Sequence, residues 1–137
     1  MNVEHTIKYC ISLPYPSLEN YARINYKTVY DYLSKTQNKD TASSVVNGCI
    51  FTCVAVDGKL SNAEQEFICN IMRGYNENEV FEVVSEFYNE EAQDIVKKLI
   101  NYLPNDVKEA YVKMCIAVLA VDKKISSLEN TFLKNFI

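Results

Sequence analysis

Apolar side chains recur along most of the chain at intervals of three and four, the repeat of helices with one buried face, and the pattern predicts about seven helices. The first starts near Pro16, Ser17 and Glu19, carries Tyr21, Ile24, Thr28 and Tyr32 with Val29 and Leu33 beside them, and ends near Thr36. A second runs from about Ala42 to Val56 on Val45, Cys49, Ile50, Cys53, Val54 and Val56. Gly48 within it costs about 1 kcal/mol relative to alanine and permits close approach of another helix. The third begins after Ser61 and uses Phe67, Ile68, Ile71 and Met72; Val80, Phe81, Val84 and Phe87 mark the fourth. Ile95, Leu99, Ile100 and Leu103 supply the fifth, closed by Pro104, which disfavours helical geometry in the residue before it. The sixth is "NDVKEAYVKMCIAVLAV", and a seventh starts at Ser126 with Leu128, Phe132, Leu133 and Phe136. The opening "MNVEHTIKYCISLPYPS", with two prolines near its end, reads as an N-terminal arm over 1–16 ahead of one helical domain over 17–137.

The β-branched runs "SSVVNGCIFTCVAV" and "MCIAVLAV" invite a strand reading. The first is long for a strand, and each ends at a corner with a strong helix-start signal, so the expected fold is all-α.

Much of "CVAVDGKLSNAEQEFI" (Cys53 to Ile68) returns as "VLAVDKKISSLENTFL" (Val118 to Leu133), an offset of 65. Ala55/Ala120, Val56/Val121, Asp57/Asp122, Lys59/Lys124, Ser61/Ser126, Glu64/Glu129 and Phe67/Phe132 are identical pairs. A helix, a tight corner and a helix therefore occur twice, which predicts a compact bundle with two pseudo-repeated helical hairpins, over about 42–72 and 105–136.

The repeated corner suggests three chemistries. As an EF-hand, "DGKLSNAE" puts Asp57, Gly58, Leu60 and Glu64 at loop positions 5, 6, 8 and 12, but positions 1 and 3 fall on Cys53 and Ala55, which offer no hard oxygen. As helix grammar, Ser61 with Glu64 and Ser126 with Glu129 are capping boxes, each worth about 1 kcal/mol. Asp57 and Asp122 then accept backbone N–H groups in the corner, and Gly58 supplies a left-handed residue where Lys123 does so at a cost of about 1 kcal/mol. As a metal site, the approach of both corners brings together Asp57, Glu64, Asp122 and Glu129, and crowded carboxylates bind protons or a hard divalent cation.

Charge and cysteine content narrow the field. The net charge is −4, with nine carboxylates and only Arg73 between Ser61 and Ile95, against seven lysines and four carboxylates from Val96 onward. This interleaving is that of a solvated helical surface and argues against nucleic acid as a partner. Five cysteines without a signal peptide suit a reducing cytoplasm and a buried apolar role; no CxxC pair points to zinc. His5 is expected on the surface. No uncharged run is long enough to cross a bilayer, so direct membrane insertion is not expected. Phosphate and dinucleotide fingerprints are absent, and nothing specifies a catalytic pocket. Ten tyrosines, with Tyr15, Tyr21, Tyr26, Tyr30 and Tyr32 crowded early, suit either packing of the first helix across the hairpins or a protein-binding surface.

On "AVDGKLSNAEQEFI" and "AVDKKISSLENTFL" the chain resembles the TerB-like domains, the helical family named for tellurite resistance, over about Thr41 to Ile137. The resemblance implies an all-helical fold, possible metal binding through Asp57, Glu64, Asp122 and Glu129, and membership of stress-response or membrane-linked assemblies. Lys123 departs from the family's glycine, and its ammonium would oppose a cation at that corner. The expected function is a noncatalytic helical protein-interaction module, with a metal-binding or metal-responsive domain as the alternative.

Overall fold

The computed structural model describes residues 1–56, 60–72, 76–86 and 90–134. Among these, eight α-helices and one 3-10 turn follow one another without a strand: α1 (Val3–Ser12), α2 (Tyr15–Thr36), α3 (Lys39–Ala55), α4 (Asn62–Ile71), α5 (Glu77–Glu86), α6 (Glu90–Asn101), α7 (Asn105–Leu119), the 3-10 turn Ala120–Asp122, and α8 (Ser127–Lys134). The fold is all-α, and the described parts of the repeated segments include α3 and α4 in the first and α7 and α8 in the second.

Two helices occupy the middle. From Ala110 to Ala120 only Lys113 escapes full burial, and Ile50 to Ala55 in α3 are buried without exception. A helix that is apolar all round is stable only inside other elements. The β-branched runs that suggested strands are thus central helices, where burial outweighs the few tenths of a kcal/mol of propensity lost per Val or Ile. Within α3 the buried Thr52 hydroxyl donates to the Gly48 carbonyl (2.8 Å), so it brings no unpaired polar group into the core. Gly48 is itself buried, as its reading as a close-contact position requires.

Helix α2 lies across both central helices. Its buried stripe is Leu18, Ala22, Asn25, Val29 and Leu33, one step round the helix from the predicted one; Ile24 is 58% exposed. The predicted stripe followed the large residues, whereas the contact is made by small Ala22 and by Asn25, whose Nδ2 donates to the Tyr21 carbonyl (2.9 Å). Tyr21, Tyr26, Tyr30 and Tyr32 flank the stripe, half-buried against the core. The Tyr26 hydroxyl donates to Asn47 Oδ1 (2.8 Å), and the Tyr15 ring meets Phe67 edge-on at 5.6 Å. Packing accounts for most of this tyrosine cluster.

The stretch read as an arm is helical. Asn2 Oδ1 accepts from the His5 N–H (3.0 Å) and caps α1, while Val3 and Cys10 enter the common core with Ile7 and Ile11 against it. The helix total is therefore eight among the described residues, the other seven standing where the periodicity puts them. Pro14 and Pro16, which suggested irregular chain, instead start α2: Pro16 occupies its first turn, where the missing N–H has no helical partner to lose.

Candidate functional site

The site is built from the two corners. Ser61 precedes α4 with extended backbone (φ −75°, ψ 159°), which frees its side chain to turn back over the first turn. Its Oγ accepts from the Glu64 N–H (3.0 Å), and Glu64 Oε1 accepts from the Ser61 N–H (3.0 Å). At the second corner Ser126 Oγ accepts from the Glu129 N–H (3.2 Å), and Glu129 Oε1 accepts from the Ser126 N–H (2.9 Å). Both predicted capping boxes are formed, and both glutamates are only 6% exposed.

A further bond joins the corners. The Ser61 hydroxyl donates to Asp122 Oδ2 (2.7 Å), so one oxygen caps its own helix and holds the opposite corner. Spacing along the chain reveals each cap but not this bond, because it depends on how the hairpins meet. Asp122 ends the 3-10 turn, and Lys123 follows in the left-handed region (φ 65°, ψ 16°), as the missing glycine implied. Its ammonium reaches the Leu13 carbonyl between α1 and α2 (2.6 Å). A basic group does stand at the cavity between the corners, but it belongs to Lys124. The pattern of identical pairs concealed this, since Lys124 matches Lys59 and read as ordinary surface.

That cavity, about 490 Å³, is lined by Ser61, Glu64, Asp122, Ser126 and Glu129, with Leu60, Leu119 and Ile125 as its apolar wall. Three of the four carboxylates named from sequence thus face one space; the fourth, Asp57, lies outside the described residues, as does Gly58. Burial, opposed by the Ser61 N–H and reinforced by the Glu129 and Asp122 charges, pushes Glu64 up from 4.5 to about 7. Among the described residues, no group of three or more His, Cys, Asp or Glu side chains is arranged to hold a metal ion. One oxygen of each glutamate is already engaged by its cap. The described residues therefore do not amount to a complete ligand set.

Cys53 of α3 and Cys115 of α7 are fully buried. Burial first, then Cys115, then the Glu129 and Glu64 charges hold the Cys53 thiol well above its ordinary value, the opposite of an activated nucleophile. Cys10 is buried and pushed up to about 11 by that burial, Cys69 is half-buried, and the Cys49 side chain lies outside the description. His5 is exposed on α1, as expected.

A second feature escaped the sequence reading. The fold divides the apolar set Ile95, Leu99, Ile100 and Leu103: Ile100 and Leu103 are buried, whereas Ile95 is 54% exposed, Leu99 45% and Tyr102, just beyond α6, 86%. Positions 95, 99 and 102 fall on one outer stripe by the i, i+4, i+7 rule. Beside it lies a groove of about 360 Å³, walled by Leu99, Tyr102 and Leu103 and by Tyr32, Thr36 and Val45. The signal was present in the sequence as two apolar series offset by one residue.

The chain matches no protein-family model, no curated protein and no solved structure. The likeness to TerB-like domains rests on the corner residues alone.

Two outcomes follow from the corner geometry. Ser61→Ala should lower stability by about 1–2 kcal/mol and Ser126→Ala by about 1 kcal/mol in urea unfolding, because only Ser61 carries the bond to the other corner as well as its cap; equal losses would mean that the Asp122 bond contributes nothing. Glu64 should also leave a pH signature. Between 4.5 and about 7 the folded chain retains a proton that the unfolded chain has released, so the stability this group contributes is fully present below 4.5 and is lost as pH rises through 7. Glu64→Gln, which keeps the capping acceptor, should flatten the fall in stability across that window, and an unchanged slope would contradict the placement of Glu64.

Proposed function

We propose that the chain is a noncatalytic helical protein-interaction module whose contact face is the outer side of α6 with the adjoining groove. The supporting observation is the row Ile95, Leu99 and Tyr102, held in water by a helix whose other side is anchored in the core by Ile100. Large aromatic and aliphatic side chains of this kind are anchors at protein contacts, and a contiguous apolar patch left in water carries a solubility cost that a partner removes. Tyr102 and the half-buried Tyr32 border the groove beside this face, whereas the surface suggested by the sequence was the early cluster Tyr15, Tyr21, Tyr26, Tyr30 and Tyr32. The groups most suited to catalysis point the other way, since Cys53 is buried with a raised proton affinity and the His5 side chain is exposed in the first turn of α1. A cytoplasmic place in a stress-response or membrane-linked assembly is the context suggested by the TerB-like corners; no helix among the described residues is long and apolar enough to cross a membrane. Leu99→Glu and Tyr102→Glu should leave helicity unchanged, because both side chains are exposed, and should remove the partners captured from native cells. A full set of partners retained by both variants would defeat the proposal.

The second reading, a divalent-cation site at the corners, draws on the convergence of Glu64, Asp122 and Glu129 on one cavity. It needs Asp57 as a further ligand, and the cation would compete with the Ser61 hydroxyl for Asp122. Calorimetry with calcium, magnesium, manganese and zinc should show saturable binding that Asp122→Asn weakens by at least about tenfold, the loss of one charged ligand. Absence of heat at millimolar metal would dispose of this reading.

A further inference from the structure

Lys123 stands where the first copy of the repeat has Gly58, yet it holds the left-handed conformation (φ 65°) that a side chain makes unfavourable. Among the described residues it is the non-glycine position with positive φ. A residue persists in such a conformation where a surrounding contact compensates it. Here the Lys123 ammonium donates to the carbonyl of Leu13, the residue that ends α1 (2.6 Å). Helix α1 has no basic residue in its own last turn. The positive charge that suits the carbonyl end of a helix therefore comes to it from the second corner, 110 residues along the chain.

The rest of the attachment of α1 is slight. Of its ten residues Val3 and Cys10 are buried, whereas α2 buries five. It rests on α7 and the 3-10 turn. Its Tyr9 ring meets Tyr21 edge-on at 5.5 Å but stays 52% exposed, and Glu4 pairs with Lys134 of α8 at 3.1 Å between two exposed side chains. Leu13 and Pro14, both in extended geometry (ψ 138° and 155°), join it to α2.

We propose that α1 is a releasable cover over α7 and the 3-10 turn, and that Lys123 is its latch. Glycine at 123 would form the corner without strain; what the lysine adds is the hold on α1. The ammonium bond and the left-handed corner support each other, so loss of either weakens both. Release turns about Leu13 and Pro14, and the proline keeps Leu13 extended whether α1 is docked or free. The open state leaves Val3, Cys10 and the covered flank of α7 in water, so it is a minor population reached by local opening without unfolding of the core. Salt screens the two exposed charged contacts, Lys123 to Leu13 and Lys134 to Glu4, and so raises that population.

Hydrogen exchange of the intact chain, resolved by peptide mass spectrometry, tests the proposal together with maleimide alkylation of Cys10, which is fully buried while α1 is docked. The amides of α1 should exchange at least about a hundredfold faster than those of α7, and Cys10 should be alkylated while Cys53 and Cys115 stay protected. Lys123→Gly removes the ammonium but relieves the corner. It should raise α1 exchange and Cys10 alkylation about fivefold, the loss of a charged hydrogen bond at the surface, with no loss of stability in urea. At molar salt the wild-type chain should open as readily as this variant. Exchange of α1 in step with α7 would make the two one cooperative unit and overturn the cover; α1 exchange and Cys10 alkylation unchanged or slowed by Lys123→Gly would overturn the latch.

Discussion

The fold depends on covering two helices whose later turns have no polar side to show to water. Helices α3 and α7 are buried along most of their length, so every other element is placed by the need to enclose them. Helix α2 lies across both, and α1 adds Val3 and Cys10 to the same core. Each central helix must also end. The helices that follow them, α4 and α8, start with backbone N–H groups that need acceptors. The Ser–Glu pairs meet that requirement at both places. The acidity of the cavity is a consequence of this arrangement: two capping glutamates, each drawn inward by its own serine, meet where the hairpins meet.

That origin weighs on how the carboxylates are understood. A site evolved only for a cation would keep its oxygens free and its like charges balanced by the ion. Here one oxygen of Glu64 and one of Glu129 accept serine N–H groups, Asp122 accepts the Ser61 hydroxyl, and Lys124 supplies a positive charge at the rim. Protonation of Glu64 near neutrality relieves what repulsion remains. The carboxylates lining this cavity are thus each engaged in the hydrogen bonds that hold the corners.

What could be read from the sequence separates along the range of the interactions involved. The caps were legible because a serine and a glutamate three residues apart settle their geometry locally. Lys123 was legible for the same reason, as a residue standing where the first corner has glycine. The hydrogen bond from Ser61 to Asp122 spans the two hairpins, and no spacing along the chain encodes it. The stripe of α2 was placed one step round because residue size was used as the sign of burial, whereas the close approach of α7 favours Ala22 and leaves Ile24 in water. At α1 the two prolines suggest irregular chain, whereas the Asn2 cap and the Val3, Ile7, Cys10 and Ile11 series, signals equally local, give a helix.

Helix α6 shows why the outer surface is harder to read than the core. A sequence window sums apolar residues without knowing how many sides of a helix the fold will cover. Helix α6 reaches the body of the protein through Ile100, and Leu103 just beyond its end is buried with it; that anchorage is enough to hold the helix in place. Ile95 and Leu99 remain 54% and 45% exposed beside it. A helix with one apolar side turned inward and a second turned outward shows that the number of apolar residues in a window does not tell which of them the fold will cover.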